Sequence, residues 1–290
     1  MGIFYNDKKE IIKLFDAIKD IKIKKIKSIL ENSNKNKKIL NLNAKNQRGW
    51  YPLLMTINYN NFEIVKLLIE YANHHQLILN LNEKDENKNY PLLIAVNYYN
   101  NIEMVKLLME YANQHQIILK INDSNQWNGK YPLMKAVSNN NIKMVKLLME
   151  YANQHHIILE INGKNNKSSF GEPFEDEQYP LLNATYKNNI EMVKLLIEYA
   201  NQYQIALKLN ERDIFNKYPL FYAISYNNIE MIKLLIDYAN QHHFILEYDV
   251  EHIGNNSEII ELLQNYEDDE DWKKVLKYVN KYYINKLYIK

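Results

Sequence analysis

The sequence predicts an all-α helical-repeat solenoid with short hairpin loops, and three observations carry that reading. Five of the six prolines follow a tyrosine, at Tyr51-Pro52, Tyr90-Pro91, Tyr131-Pro132, Tyr179-Pro180 and Tyr218-Pro219. Those tyrosines recur at intervals of 39, 41, 48 and 39 residues, and a period in this range marks stacked repeats. Each interval also carries the same text: an apolar run after the proline, a pair of asparagines, then Val/Ile-Lys-Leu-Leu.

The elements of one unit follow in order. Proline suits the first helical position, where its missing N–H would have no partner anyway. The helix it starts spans about two turns, too short to stand alone in water. Ala95, Ala136, Ala184 and Ala223 share one phase of it, with Thr56 in the first unit, and a small side chain there lets helices approach. The pairs Asn60-Asn61, Asn100-Asn101, Asn140-Asn141, Asn188-Asn189 and Asn227-Asn228 fit the turn that follows, because asparagine tolerates the left-handed conformation. A second helix comes next. Val65, Leu68 and Ile69 build its apolar stripe, while Glu63, Lys66 and Glu70 lie three and four apart on the other face as weak ion pairs. A short segment such as Leu81-Asn82 leads to the next Tyr-Pro.

Pro-Leu-x-x-Ala, then Val/Ile-Lys-Leu-Leu, then Leu/Ile-Asn, five times in phase, resembles the ankyrin repeat, a unit of about 33 residues with the signature T-P-L-H-x-A. The resemblance covers about residues 8–266 and implies an ankyrin-type solenoid. Two departures matter. Tyrosine replaces the usual threonine, and Leu54, Leu93, Met134, Leu182 and Phe221 replace the usual histidine, so aromatic packing is expected where the family has a small hydrogen-bond network. The glycine that ends the family's outer helix is here Ala72, Ala112, Ala152, Ala200 or Ala239. Glycine would stop the helix, so extended outer helices, longer by about one to two turns, are expected from the extra residues typified by Asn73 to Ile78.

The expected organisation is an N-terminal repeat at 8–47, full repeats at 48–86, 87–127, 128–175, 176–214 and 215–250, and a truncated repeat at 251–266. An amphipathic C-terminal capping helix at 267–290 completes it. The N-terminal repeat keeps Leu14, Ala17, Ile26, Leu30 and Leu42-Asn43 but lacks Tyr-Pro, and its lysine-rich outer face suits a solenoid end. In the truncated repeat Tyr266 follows Tyr238 by 28 residues, so about 11 residues of a unit are missing and its inner helix is shortened or lost. Trp272, Val275, Leu276, Val279, Tyr283 and Leu287 lie at helical spacing beyond it, with acids at their N-terminal side.

Composition narrows the function classes. Six dispersed glycines in 290 residues leave no phosphate-cradling loop. The absence of cysteine removes disulfides, thiolate metal sites and cysteine nucleophiles. A net charge of +1 gives no global field for nucleic acid. No apolar run reaches bilayer length, and an intracellular, cytoplasmic, monomeric chain is the expectation. The charge is local instead: about 13 Lys/Arg against five acids in residues 1–48, and ten acids with no Lys or Arg in residues 247–271.

No catalytic constellation stands out. Carboxylates repeat in phase, whereas a catalytic pair would break the repeat at one place, so no enzyme activity and no cofactor are expected. His75, His115, His155 and His242 share one phase, with Tyr203 in the fourth unit. Stacked helices sit roughly 8–10 Å apart and zinc ligands about 2 Å from their ion, so adjacent rungs do not share a metal; no metal site is expected. Histidine near a helix C-terminus is favoured by the dipole alone.

In the ankyrin family the hairpin tips and inner helices line a concave binding face. Arg48, Trp50, Asn87, Asn89, Trp127, Lys130, Phe215 and Lys217 fall at hairpin positions of that kind, and Tyr59, Tyr98, Tyr186 and Tyr226 near the ends of inner helices. Tyr, Trp and Arg dominate interface energies. The expected function is therefore a non-catalytic protein-interaction scaffold for a protein partner. Two alternatives stand beside it: a binder of nucleic acid or anionic lipid through the lysine-rich N-terminal repeat, and an adaptor recruiting other machinery through its C-terminal helix. The 48-residue interval places about nine extra residues within Gly163–Gln178, with Phe170 and Phe174 as its apolar points; a binding loop and a disordered excursion both fit.

Overall fold

A computed structural model describes residues 8–36, 38–97, 100–125, 129–165, 178–248 and 256–267. Thirteen α-helices and no strand occur among them. They are α1 (Lys8–Lys19), α2 (Ile23–Lys35), α3 (Pro52–Asn58), α4 (Phe62–His74), α5 (Pro91–Asn97), α6 (Ile102–Gln114) and α7 (Pro132–Ser138). There follow α8 (Ile142–Gln154), α9 (Pro180–Tyr186), α10 (Ile190–Gln202), α11 (Pro219–Ser225), α12 (Ile229–Gln241) and α13 (Ser257–Glu267). The predicted C-terminal helix lies outside the described residues, as do Phe170 and Phe174.

The chain divides into two compact units, Met1–Pro180 and Leu181–Lys290. In the first, the inner helices α1, α3, α5 and α7 pack in series, and each pairs with the outer helix that follows it. In the second, α11 pairs with α12, and α12 packs against α10 and α13. Each proline opens its inner helix from an extended tyrosine, as at Tyr51 with φ −117° and ψ 163°. The residues after proline form the core. Leu53, Leu54, Leu92, Leu93, Leu133 and Met134 are fully buried, and burial of such side chains, worth roughly 1.5–3 kcal/mol each, is what holds two-turn helices in place.

The asparagine pairs end one helix and start the next. Asn60 is left-handed at φ 51°, its amide donating to Ile57 O at 2.8 Å and the Asn61 amide to Thr56 O at 3.2 Å. Two such bonds across a left-handed residue form a Schellman motif. Asn61 is also the N-cap of α4, its side chain accepting from Ile64 N at 3.0 Å. Asn101, Asn141, Asn189 and Asn228 cap α6, α8, α10 and α12 in the same way.

Outer helices continue past the alanine, but by two residues rather than one to two turns. The helix α4 ends at His74, and the same Schellman geometry closes it: Leu77 N donates to Ala72 O at 2.8 Å and Gln76 N to Asn73 O at 3.2 Å. The left-handed residue is Gln76, Gln116, His156, Gln204 or His243, with φ between 54° and 56°. The stop that glycine usually provides has moved four residues downstream, onto side chains that bear the steric cost. The remaining extra residues form the extended segment after it.

Three hydrogen-bond ladders tie neighbouring repeats. The Tyr-Pro tyrosines are buried and reach the next hairpin: Tyr51 Oη donates to Glu83 O at 3.0 Å, Tyr90 to Asp123 O at 2.7 Å and Tyr131 to Gly163 O at 3.1 Å. Burial pushes all three hydroxyls well above their ordinary pKa. The second tyrosine of each unit reaches backward. Tyr111 Oη accepts from Leu79 N at 3.1 Å and donates to Leu77 O at 3.2 Å, and Tyr238 makes the same pair with Leu207 N and Ile205 O at 3.0 and 3.2 Å. The asparagine of Leu-Asn forms the third ladder. Asn82 Nδ2 donates to Ile118 O at 2.7 Å while its Oδ1 accepts from Lys120 N at 3.0 Å. Asn43, Asn122 and Asn210 repeat that two-bond contact.

Ion pairs on the outer helices run differently from expectation. Glu103 and Lys106 pair within one helix at 3.2 Å, but Lys27 pairs with Glu63 and Lys194 with Glu230 across repeats, at 3.3 and 2.7 Å. All are about half exposed and contribute little.

Candidate functional site

One polar side chain shapes each hairpin. In the first, Asn46 Oδ1 accepts from Arg48 N at 2.9 Å and Trp50 N at 3.0 Å, and Gly49 takes φ 71° between them. In the second, Asp85 accepts from Asn87 N at 2.9 Å, Asn89 N at 2.7 Å and Trp50 Nε1 at 3.1 Å. Asp213 does the same for Phe215 N and Lys217 N, both at 2.9 Å. An Asx turn of this kind replaces missing ladder bonds at the hairpin tip. Asn165 N donates to Gln178 O at 3.0 Å, the counterpart of Asp85 N to Asn89 O and Asp213 N to Lys217 O, both at 2.9 Å.

This arrangement sorts the predicted contact residues. Arg48, Trp50 and Tyr59 line a groove of about 910 Å³ together with residues of α1. Its floor is apolar, from Ile11, Ile12, Phe15 and Met55, and its cations are Lys19, Lys45 and Arg48. Ile12 is 55% exposed. Trp50 is held in one orientation by its bond to Asp85.

Tyr186 and Tyr226 meet in the second unit, where Tyr226 Oη donates to Tyr186 O at 2.9 Å. Tyr222 joins them, its ring edge-on to Tyr186 at 5.2 Å and its hydroxyl donating to Asp213 Oδ2 at 2.5 Å. Burial first, then the Asp213 contact, holds that hydroxyl protonated well beyond its ordinary range. Lys217 Nζ lies 3.7 Å from the Phe221 ring centroid, a cation–π contact. Phe215 and Tyr226 are 42% and 43% exposed.

Two predicted contact residues face inward and are corrected here. Lys130 is 2% and Asn89 8% exposed. Both precede the Tyr-Pro tyrosine, where the chain turns into the core, and Asn89 Nδ2 is directed at Asp85 Oδ2, 3.3 Å away. Asn87 remains beside them at the tip, half-buried. Tyr98 and Trp127 lie outside the described residues.

Sequence reasoning missed the α1 side of the groove, because the N-terminal repeat reads as a polar cap. The available signal was Ile12, Phe15 and Lys19 at helical spacing, off the stripe of Leu14, Ala17 and Ile18 that fills the core. It also missed Asp85 and Asp213, which read as ordinary turn residues.

The phased histidines have a packing role. His115 Nε2 lies 3.1 Å from Asn73 Oδ1 and His155 Nε2 2.9 Å from Asn113 Oδ1, one repeat earlier in each case. Their rings pack on Tyr111 and Tyr151 at 4.2 Å between centroids. Among the described residues no group of three or more His, Asp or Glu is placed to hold a metal. No helix among them is long and apolar enough to cross a membrane.

Comparison with known proteins agrees with this architecture. A family model described as ankyrin repeats (3 copies) matches residues 14–118, 152–244 and 181–274, and a second, described as ankyrin repeat, matches 128–157. No curated protein matches. Among solved structures, the ankyrin repeat protein EF0377 is 22% identical with a TM-score of 0.54, covering 78% of this chain and 96% of its own. An ankyrin repeat domain (ABAYE2397) from Acinetobacter baumannii AYE is 19% identical with a TM-score of 0.53, over 78% and 97%. A chain from the complex of the Bd0816 predatory endopeptidase with immunity protein Bd3460, from Bdellovibrio bacteriovorus, gives 19% and 0.52 over 78% and 97%. With family models matching most of its length on top of the repeated helix pairs, this chain belongs to the ankyrin-repeat family.

Proposed function

We propose that the chain is a non-catalytic scaffold, working inside the cell, that binds a protein partner on a concave face made of hairpin tips and inner helices. Ankyrin repeats generally mediate protein–protein interaction. The observation that carries the proposal is the groove that Arg48, Trp50 and Tyr59, three residues of the types that anchor interfaces, line together. The chain's hydrogen-bond ladders are committed to repeat contacts, so the fold tolerates change at the exposed Arg48. Affinity capture from extracts of the source cells tests the reading, with Arg48→Ala/Tyr59→Ala compared with Glu70→Ala on the outer helix α4. A partner lost with the first and kept with the second supports it. Equal capture by both variants contradicts it.

A further inference from the structure

We infer that the groove between α1 and the first hairpin receives an acidic, amphipathic peptide segment of a partner protein; this rests on the scaffold reading above and names the partner's chemistry. Two features of the groove select that class together. Its lining carries three cations, Lys19, Lys45 and Arg48, and no carboxylate. Its apolar lining combines Ile11, Ile12 and Met55 with the rings of Phe15, Trp50 and Tyr59.

Among the described residues, carboxylates engage Lys45 but form no ion pair with Lys19 or Arg48, so those two cations remain to select the partner. Asp85 is buried and turned into the hairpin, where it accepts from Trp50 Nε1 and two backbone amides. Asp20 pairs with Lys22 at 2.5 Å. Glu83 pairs with Lys45 at 2.8 Å, and that lysine holds the carboxyl below its ordinary pKa. Asp16 is exposed on α1 but is not part of the lining. No ion pair among the described residues engages Arg48. An arginine left open beside an apolar floor matches a carboxylate flanking an apolar anchor, and charge complementarity of this kind decides which partner binds.

The floor separates this partner from other polyanions. Bases stack on aromatic faces and Phe15, Trp50 and Tyr59 line the groove, so the choice against nucleic acid rests on Ile12, an aliphatic side chain 55% exposed that a polyanion does not cover. A headgroup or free phosphate would use the cations and leave Ile12 in water. A peptide covers both. Trp50, fixed by its indole bond to Asp85, loses little freedom when a partner packs on it, which favours affinity.

The test selects random short peptides by phage display on the full chain, then measures binding of the enriched peptides to Lys19→Glu/Arg48→Glu, to Tyr59→Ala, and to Lys143→Glu, an equivalent charge change on the outer helix α8. The result expected is a pool rich in Asp and Glu together with Leu, Ile or Phe, bound equally by wild type and Lys143→Glu and at least about tenfold more weakly by the double reversal. All substituted positions but Tyr59 are exposed, and an unchanged melting temperature shows that each variant is folded. Neutral apolar peptides that lose binding only with Tyr59→Ala overturn the acidic class and leave the scaffold reading standing. Peptides that bind all variants equally overturn both. A selection that returns no peptide, while single-stranded oligonucleotide or phosphatidylserine vesicles bind and are lost on the double reversal, overturns the inference in favour of a polyanion.

Discussion

Tyr266 Oη accepts a hydrogen bond from Leu246 N at 3.1 Å, across 20 residues of sequence. The equivalent contact between Tyr238 and Leu207 spans 31. The last repeat has thus lost chain length while keeping the contact that locks an outer helix onto the unit before it. The tyrosine ladder is therefore a condition that even a shortened repeat meets.

Tyr266→Phe should destabilise the chain by about 1–3 kcal/mol, because it strands the Leu246 amide and the Phe244 carbonyl together. Urea unfolding followed by circular dichroism measures it. A loss below about 0.3 kcal/mol would mean that water replaces the hydroxyl without cost.

The same hydroxyl sets a pH limit. Burial pushes Tyr266 from 10.0 up to about 12, with the Leu246 amide acting in the opposite direction. The folded value is raised, so the stabilisation is complete below pH 10 and drains away as pH rises toward about 12. The unfolding midpoint should fall across that window in wild type and less steeply in Tyr266→Phe.

Gln116→Gly should stabilise the chain by about 0.5–1 kcal/mol. A side chain in the left-handed conformation costs about 1–2 kcal/mol, and the extra freedom of glycine in the unfolded chain returns about 0.5–1 kcal/mol of that. Gln116→Val should destabilise it, since a β-branched residue fits that conformation worst. Urea midpoints of the two variants should move in opposite directions.

Asn82→Ala removes two bonds to the next repeat and should cost about 1–2 kcal/mol. Amide exchange at Lys120 should accelerate in it. Asn82→Asp keeps the acceptor for Lys120 N but cannot donate to Ile118 O, so it should protect the amide while still losing stability.

What the sequence made legible follows from which signals are local. Pro52, Asn60 and Asn61 act on backbone within a few residues of themselves, by a fixed φ, a left-handed turn and a side-chain cap on Ile64 N, so helix starts and turns could be read directly. The overestimated outer helix shows the limit. Alanine at 72 removes a stop, but nothing in the text says that Gln76 will take the left-handed conformation instead. The Asn82 ladder was hidden for a similar reason, since a lone asparagine reads as a turn residue until its neighbour one repeat away is in place. Facing was the least legible property of the candidate site. Asn87 and Asn89 look alike in sequence, yet one stays at the tip and the other turns into the core, because alternation in a hairpin depends on where Asp85 anchors it.

The most direct test of the account is the hydrogen-exchange footprint of a captured partner protein on the full chain. Protection is expected in α1, α3 and the hairpin around Arg48 and Trp50, with α4, α6 and α8 unchanged. Protection confined to those outer helices, with the hairpin exchanging as in the free chain, would contradict it.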